Sequence, residues 1–253
     1  MITLYQFQFS HFCEKARWAL DYKGLSYRIE NLLPGLHLRT IRDLAPLSTV
    51  PVIRDGETVV QDSTEIIDHL DRHYPQALLT PESLPQAEAA RDRELDLAAR
   101  IGIPLRLWLF RYLLDDRETA LRIMLDEVKA KERMLFERMF PKMREHMLLT
   151  MNINETSANR AKETFSAALK ELDEQVTKAP FLIADRFSRV DLTACSLLSP
   201  FCTPRLDDTQ AAELLPRAVS DLRGAHRERP YFNWVLETYR KYRATPVSSR
   251  EGL

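Results

Sequence analysis

Ser10-His11-Phe12-Cys13-Glu14-Lys15-Ala16-Arg17 opens a helix with a hydroxyl and a thiol one turn apart. Two further stretches carry the same kind of information. Thr49-Val50-Pro51-Val52-Ile53 puts a proline at the start of a strand, and Gln61-Asp62-Ser63 begins another helix with an acid and a hydroxyl. Their flanks fix the element order. Residues 2–7 are rich in β-branched and aromatic side chains, as a strand prefers. Within 12–23, Phe12, Ala16, Ala19 and Leu20 recur at i, i+4, i+7 and i+8, the apolar stripe of an amphipathic helix, and Gly24 stops it. Residues 26–33 read as a second strand and 37–44 as a short basic helix. Asp55-Gly56 between the β-branched runs 50–54 and 58–60 predicts a hairpin. Ile66, Ile67 and Leu70 mark one face of a helix over 63–74. The order βαβαββα combines a parallel crossover with an antiparallel hairpin, so the sheet is expected to be mixed.

After residue 74 the pattern changes. Residues 75–85 hold three prolines and no periodicity, which reads as a linker. From there 87–114, 117–151, 157–178, 188–201, 210–226 and 230–243 favour helix by composition and 3.6-residue spacing. Ser188 can cap the amide of Asp191, whose carboxylate reaches back, with Phe187 and Leu192 placed as a hydrophobic staple. The expected organisation is a domain over 1–78, a linker over 79–86, an all-helical domain over 87–244 and a frayed tail over 245–253.

Composition narrows the function classes. The chain has 253 residues, with 36 Lys plus Arg against 37 Asp plus Glu, a formal net charge of −1, so bulk electrostatics gives no reason to expect nucleic-acid or membrane binding. Cys13, Cys195 and Cys202 are an odd number, widely spaced. With no secretory h-region and no run of 18 apolar residues, a reducing cytoplasm is expected. Histidines 11, 37, 69, 73, 146 and 226 are scattered and offer no metal-ligand spacing, so no metal is expected.

The helix start Ser10-x-x-Cys13-x-Lys15-Ala16-Arg17, the strand start Thr49-Val50-Pro51, Gln61-Asp62-Ser63 and the Ser188-x-x-Asp191 box occur in an order and spacing that resembles the glutathione transferase superfamily over nearly the whole chain. The fold class implied is α/β plus all-α: an N-terminal thioredoxin-like domain followed by an all-helical C-terminal domain. Ser10 resembles the serine of serine-type transferases, whereas Cys13 matches the second cysteine of a glutaredoxin-like C-x-x-C. Ala184 stands where the family often has glycine, and the segment 117–159 is unusually long.

The resemblance implies a glutathione-dependent transferase with glutathione as co-substrate, a small electrophile as its target, and a homodimeric assembly. In that reading Ser10 stabilises the glutathione thiolate; lowering a thiol pKa from about 8.5 by roughly two units takes about 2.7 kcal/mol. Serine at a helix start also serves simply as an N-cap. Cys13 is a candidate nucleophile or a buried bystander. Val50, ahead of an expected cis Pro51, would hold the cysteinyl unit by its main chain. Asp62 would accept from the γ-glutamyl ammonium, Ser63 would receive the γ-glutamyl carboxylate, and His37 would face the glycyl carboxylate. Phe12 and Thr49 complete the glutathione-contacting set. Arg106, Trp108, Arg111 and Tyr112 are candidates for a pocket taking an apolar or anionic co-substrate, although their spacing keeps them from sharing one face. Two other classes stay open: a non-catalytic binding module, and a Cys13-dependent thioltransferase or peroxidase-type oxidoreductase.

Overall fold

The computed structural model describes residues 1–126, 128, 130–203, 206 and 208–243; the tail expected over 245–253 lies outside them. The first part runs β1 (Ile2–Gln6), α1 (His11–Tyr22), β2 (Tyr27–Asn31), α2 (His37–Arg42), β3 (Val52–Asp55), β4 (Thr58–Gln61) and α3 (Ser63–His73), the order the sequence predicts. The sheet order is β2-β1-β3-β4. β1 runs parallel to β2, and antiparallel pairs join β1 to β3 and β3 to β4, so the sheet is mixed. Gly24 and Gly56 take φ of +64° and +61°, the left-handed backbone glycine adopts without a Cβ clash, one ending α1 and the other turning the hairpin.

Helices form the rest: α4 (Leu84–Leu97), α5 (Ile103–Leu113), α6 (Arg117–Met124), α7 (Ala130–Thr150), α8 (Glu155–Lys178), α9 (Arg189–Cys202), α10 (Asp208–Leu214), α11 (Arg217–His226) and α12 (Pro230–Tyr242). The expected helix over 87–114 is divided by a π-helical segment, Ala98–Gly102, and 117–151 by the residues between α6 and α7. α4 begins inside the expected linker, because Pro85 sits in its first turn, where a missing N–H costs nothing. The predicted capping box is present: Ser188 N donates to Asp191 Oδ2 at 2.9 Å and Val190 N to Ser188 Oγ at 3.3 Å.

One apolar core joins the two parts. It runs from Leu4 and Trp18 through Ile66 to Leu105, Phe165, Leu192 and Tyr231, all fully buried. A second cluster occupies the long 117–159 region, where Phe136, Phe140 and Met143 of α7 meet Leu121 and Met124 of α6, Ile153 and, from the sheet side, Leu33. The charge-rich α7 is therefore solvated on one face and a core helix on the other.

Candidate functional site

Strand register brings the three motifs together. Tyr5 of β1 lies opposite Val52 of β3, and Val52 lies opposite Gln61 of β4. The chain therefore leaves β1 toward Ser10, enters β3 from Pro51, and leaves β4 toward Asp62 at the same edge of the sheet. Asp62 N donates to Pro51 O at 3.2 Å, and the Val50–Pro51 peptide is cis, as the resemblance implies. α1 and α3 both begin at this edge, so their unpaired N–H groups and positive dipole ends converge on one place.

Ser10 is the N-cap of α1, its Oγ accepting from Cys13 N at 3.4 Å. Its turn is held from below by Arg17, whose guanidinium donates to Gln6 Oε1 at 2.5 Å, Gln8 O at 3.2 Å and Glu14 Oε2 at 2.8 Å. Lys15, also part of the motif, is buried in an ion pair with Glu94 of α4 and donates to Thr64 Oγ1 of α3 at 2.9 Å. Both cations of the motif thus anchor the helix. Cys13 is 0% exposed, and burial pushes its thiol up, outweighing the pull of Arg17, the Ser10 hydroxyl and the Phe7 backbone. The structure removes Cys13 from the candidate catalytic groups, since the reactive species is the thiolate and an attacking thiol must be reached.

Asp62 is exposed and caps α3, its carboxylate accepting from Thr64 N at 2.7 Å. Its backbone sits at φ +82°, ψ 136°, a conformation that costs an aspartate about 1–3 kcal/mol and concentrates at functional sites. Ser63, 2% exposed, follows it in the first turn. Gln61, assigned no role from the sequence, binds the loop before the cis proline: it donates to Leu47 O at 2.8 Å and Thr49 O at 2.7 Å and accepts from Leu47 N at 3.1 Å. Three polar residues directly after Val59-Val60 were the available signal. His37 Nε2 meets Ser48 O at 2.9 Å; a carbonyl only accepts, so Nε2 carries the proton. Nδ1 is then a buried lone pair without a partner, and burial lowers the ring's pKa. The neutral ring has no remaining donor for a carboxylate.

On the helical side, Gly102, Arg106 and Phe110 form an i, i+4, i+8 stripe facing the β1–α1 turn. A Cβ on Gly102 would lie 2.8 Å from Leu197 Cδ2 and 3.1 Å from Phe12 Cζ, so glycine there permits the close approach of α1, α9 and the π-helical segment. The Arg106 guanidinium lies over the Phe12 ring at 5.6 Å, and Phe110 packs on Phe9 at 6.5 Å between centroids. Phe9, Leu36, Leu107 and Phe110 are partly buried against the α6–α7 core, so the Phe9–Phe110 contact joins the turn before Ser10 to an apolar surface that sequence spacing did not reveal. Trp108 does not join it. At 2% exposed, it packs edge-on against Tyr112, Phe165 and Phe201 in the helical core, which takes Trp108 out of the expected pocket and leaves Tyr112 partly buried against that core. Arg111 also turns away, pairing with Asp115 beside a cavity of about 340 Å³ lined further by Arg144, Leu148 and Ile153.

The family profile described as "Glutathione S-transferase, N-terminal domain" matches residues 4–78. Glutathione S-transferase Z1 of Arabidopsis thaliana is 37% identical over 86 residues, 33% of this chain and 39% of that protein, so the chain spans well under two thirds of this relative's length. Glutathione S-transferase TCHQD of the same plant is 23% identical over 257 aligned positions, 95% of this chain and 93% of its own. Among solved structures, a glutathione S-transferase of Ceriporiopsis subvermispora in complex with glutathione superposes with a TM-score of 0.66 at 15% identity, covering 97% of this chain and 98% of the other. Residues 4–78 thus carry the N-terminal domain of the glutathione S-transferase family, and the two-part fold is shared almost end to end with a glutathione S-transferase.

Proposed function

We propose that this protein is a glutathione-dependent transferase whose N-terminal part, residues 1–78, binds glutathione and whose helical part, 87–244, presents the electrophile. The observation that carries the reading is the convergence of two helix starts, Ser10 of α1 and Asp62-Ser63 of α3, with the cis Val50–Pro51 segment at one edge of the sheet. Val50 holds the cysteinyl unit by main-chain hydrogen bonds, as an added strand. Asp62 takes the γ-glutamyl ammonium, and the Ser63 amide and hydroxyl take its carboxylate. Ser10 donates to the thiolate, aided by the amides at the start of α1. The sulfur attacks an electrophilic carbon, a C–S bond forms, and the bond to the leaving group breaks. The protein supplies position and a lowered thiol pKa. A homodimer is part of this reading, and sedimentation at micromolar concentration reads it.

Retention on immobilised glutathione followed by turnover of an aryl halide tests the proposal. Ser10→Ala is expected to shift the pH–rate profile toward higher pH and to lower kcat/KM at pH 7 by roughly tenfold to a hundredfold, the 1.5–3 kcal/mol of a hydrogen bond to a charged group, with glutathione affinity nearly unchanged. An unmoved profile rejects Ser10. Binding without turnover of aryl halide, hydroperoxide or mixed disulfide would instead identify a non-catalytic glutathione-binding module.

A further inference from the structure

Arginines along α4, the π-helical segment and α5 meet carboxylates with one exception. Arg91 pairs with Glu65 and Asp68, Arg93 with Asp96, Arg100 with Glu171, and Arg111 with Asp115. Arg106 pairs with none among the described residues. It is nevertheless the one that burial disfavours: its pKa is lowered, with burial as the cause, and its Nε is enclosed without a partner. The acidic groups of the neighbouring elements are already engaged, Glu94 by Lys15 and Arg189, Asp115 by Arg111 and Arg144, and Glu14 by Arg17 and Arg243. His11, at the base of the same stripe, offers no charge to balance it. Its ring is held neutral, with a pKa lowered to about 3 by burial and then by Arg106 itself, while its backbone contact to Leu197 works the other way. A guanidinium kept half-buried without a counter-ion is costly unless an anion completes it.

The surroundings state what kind of anion. The Phe12 ring backs the cation at 5.6 Å, and Phe110, one turn further along α5, meets Phe9 across the turn that carries Ser10. Arg106 therefore stands between two aromatic contacts on the face of α5 that meets the β1–α1 turn, with no carboxylate partner among the described residues. Two planar N–H donors suit the two oxygens of a carboxylate or sulfonate, and the Phe9, Leu107 and Phe110 surface suits a flat apolar body. We infer that Arg106 is a specificity-determining residue that selects an aromatic co-substrate bearing an anionic carboxylate or sulfonate. The inference rests on the transferase reading for its place beside Ser10, and its test needs neither glutathione nor turnover.

Binding of 2-naphthoate and its uncharged near-isostere 2-naphthamide to the full-length chain is measured by calorimetry. The unmodified protein is expected to hold the carboxylate about tenfold or more tighter than the amide, a preference of the size one charge-assisted hydrogen-bond pair gives. In Arg106→Met the preference disappears while naphthamide affinity stays within about twofold, because the methionine stem keeps the apolar packing; Arg106→Lys, which retains the charge, keeps part of it. Equal affinity for the two compounds in the unmodified protein overturns the inference, as does failure to bind either, or a preference that survives Arg106→Met. The first comparison needs no variant and decides the matter even if Arg106→Met does not fold. Retention on immobilised glutathione, read separately, bears on the transferase reading alone.

Discussion

Ser10 and Cys13 sit one turn apart on α1, and burial rather than position separates their chemistry. Cys13, Cys195 and Cys202 are all buried and unpaired with one another, and burial pushes all three thiols up. The native protein is therefore expected to show no thiol reacting with an aromatic disulfide reagent within minutes at pH 8, and all three once unfolded in guanidinium. One equivalent reacting in the native state, mapped to Cys13, would restore the oxidoreductase reading. His37 gives a second residue-scale expectation. Its Nδ1 becomes a donor only when the ring takes a proton, and burial depresses the pKa at which it does so. His37→Ala should then leave glutathione affinity little changed at pH 8 and weaken it progressively more as pH falls below the ordinary histidine range. A loss at pH 8 equal to that at pH 5 would show that the ring acts without its charge. Neither outcome was legible in the sequence, because a cysteine or histidine beside a helix start reads alike whether its side chain meets solvent or core.

At the scale of elements, α1, α3, α4 and α9 are locked by one buried cluster. Glu94 of α4 pairs with Lys15 of α1 and with Arg189 of α9 at 2.5 Å, while Arg189 Nη1 reaches Asp68 of α3 at 2.5 Å. Burial alone would raise the Glu94 pKa, and the charges of Lys15 and Arg189 override it, leaving it lowered. Glu94→Ala should cost about 3–5 kcal/mol, because it strands two buried cations, measured by denaturant unfolding at pH 7. With the folded pKa below the unfolded one, the stabilisation is present above the ordinary glutamate range and is lost as pH falls through the folded value. The gap between the unmodified protein and the variant should therefore narrow in acid; a gap that widened would assign the cluster the opposite sign. Ala184 offers the reverse test. It adopts φ +59°, where a Cβ is disfavoured by roughly 1–2 kcal/mol, so Ala184→Gly should raise stability by about 0.5–1 kcal/mol in thermal unfolding, the net left after the unfolded-chain entropy that glycine adds. Sequence alone marked Ala184 as a departure from the family; the backbone angle supplies the reason it matters.

Across the whole molecule, the helical part is fastened to the sheet part by polar straps as well as by the continuous core. Arg186 donates to Leu78 O at 2.6 Å and Thr80 O at 3.0 Å, Asp71 accepts from the amides of Leu79 and Thr80, and Arg189 N donates to Leu79 O. At the other end Trp18 Nε1 donates to Tyr242 O at 3.0 Å, and Arg243 pairs with Glu14 and Asp21 of α1. With so much of the interface buried, unfolding is expected as one transition by fluorescence and circular dichroism alike; two separated transitions would mean that the parts are energetically independent. The sequence by itself determined the order βαβαββα, the mixed sheet, the capping box and the all-helical remainder, because each depends on local periodicity, turn chemistry or a short polar motif. Only the tertiary structure decided that Lys15 and Arg17 anchor rather than react, that Cys13 is sealed, and that α5 turns Trp108 inward and Arg106 onto Phe12. Those outcomes depend on burial and on charges contributed from distant segments, such as Glu94 and Arg189, and a linear pattern holds neither.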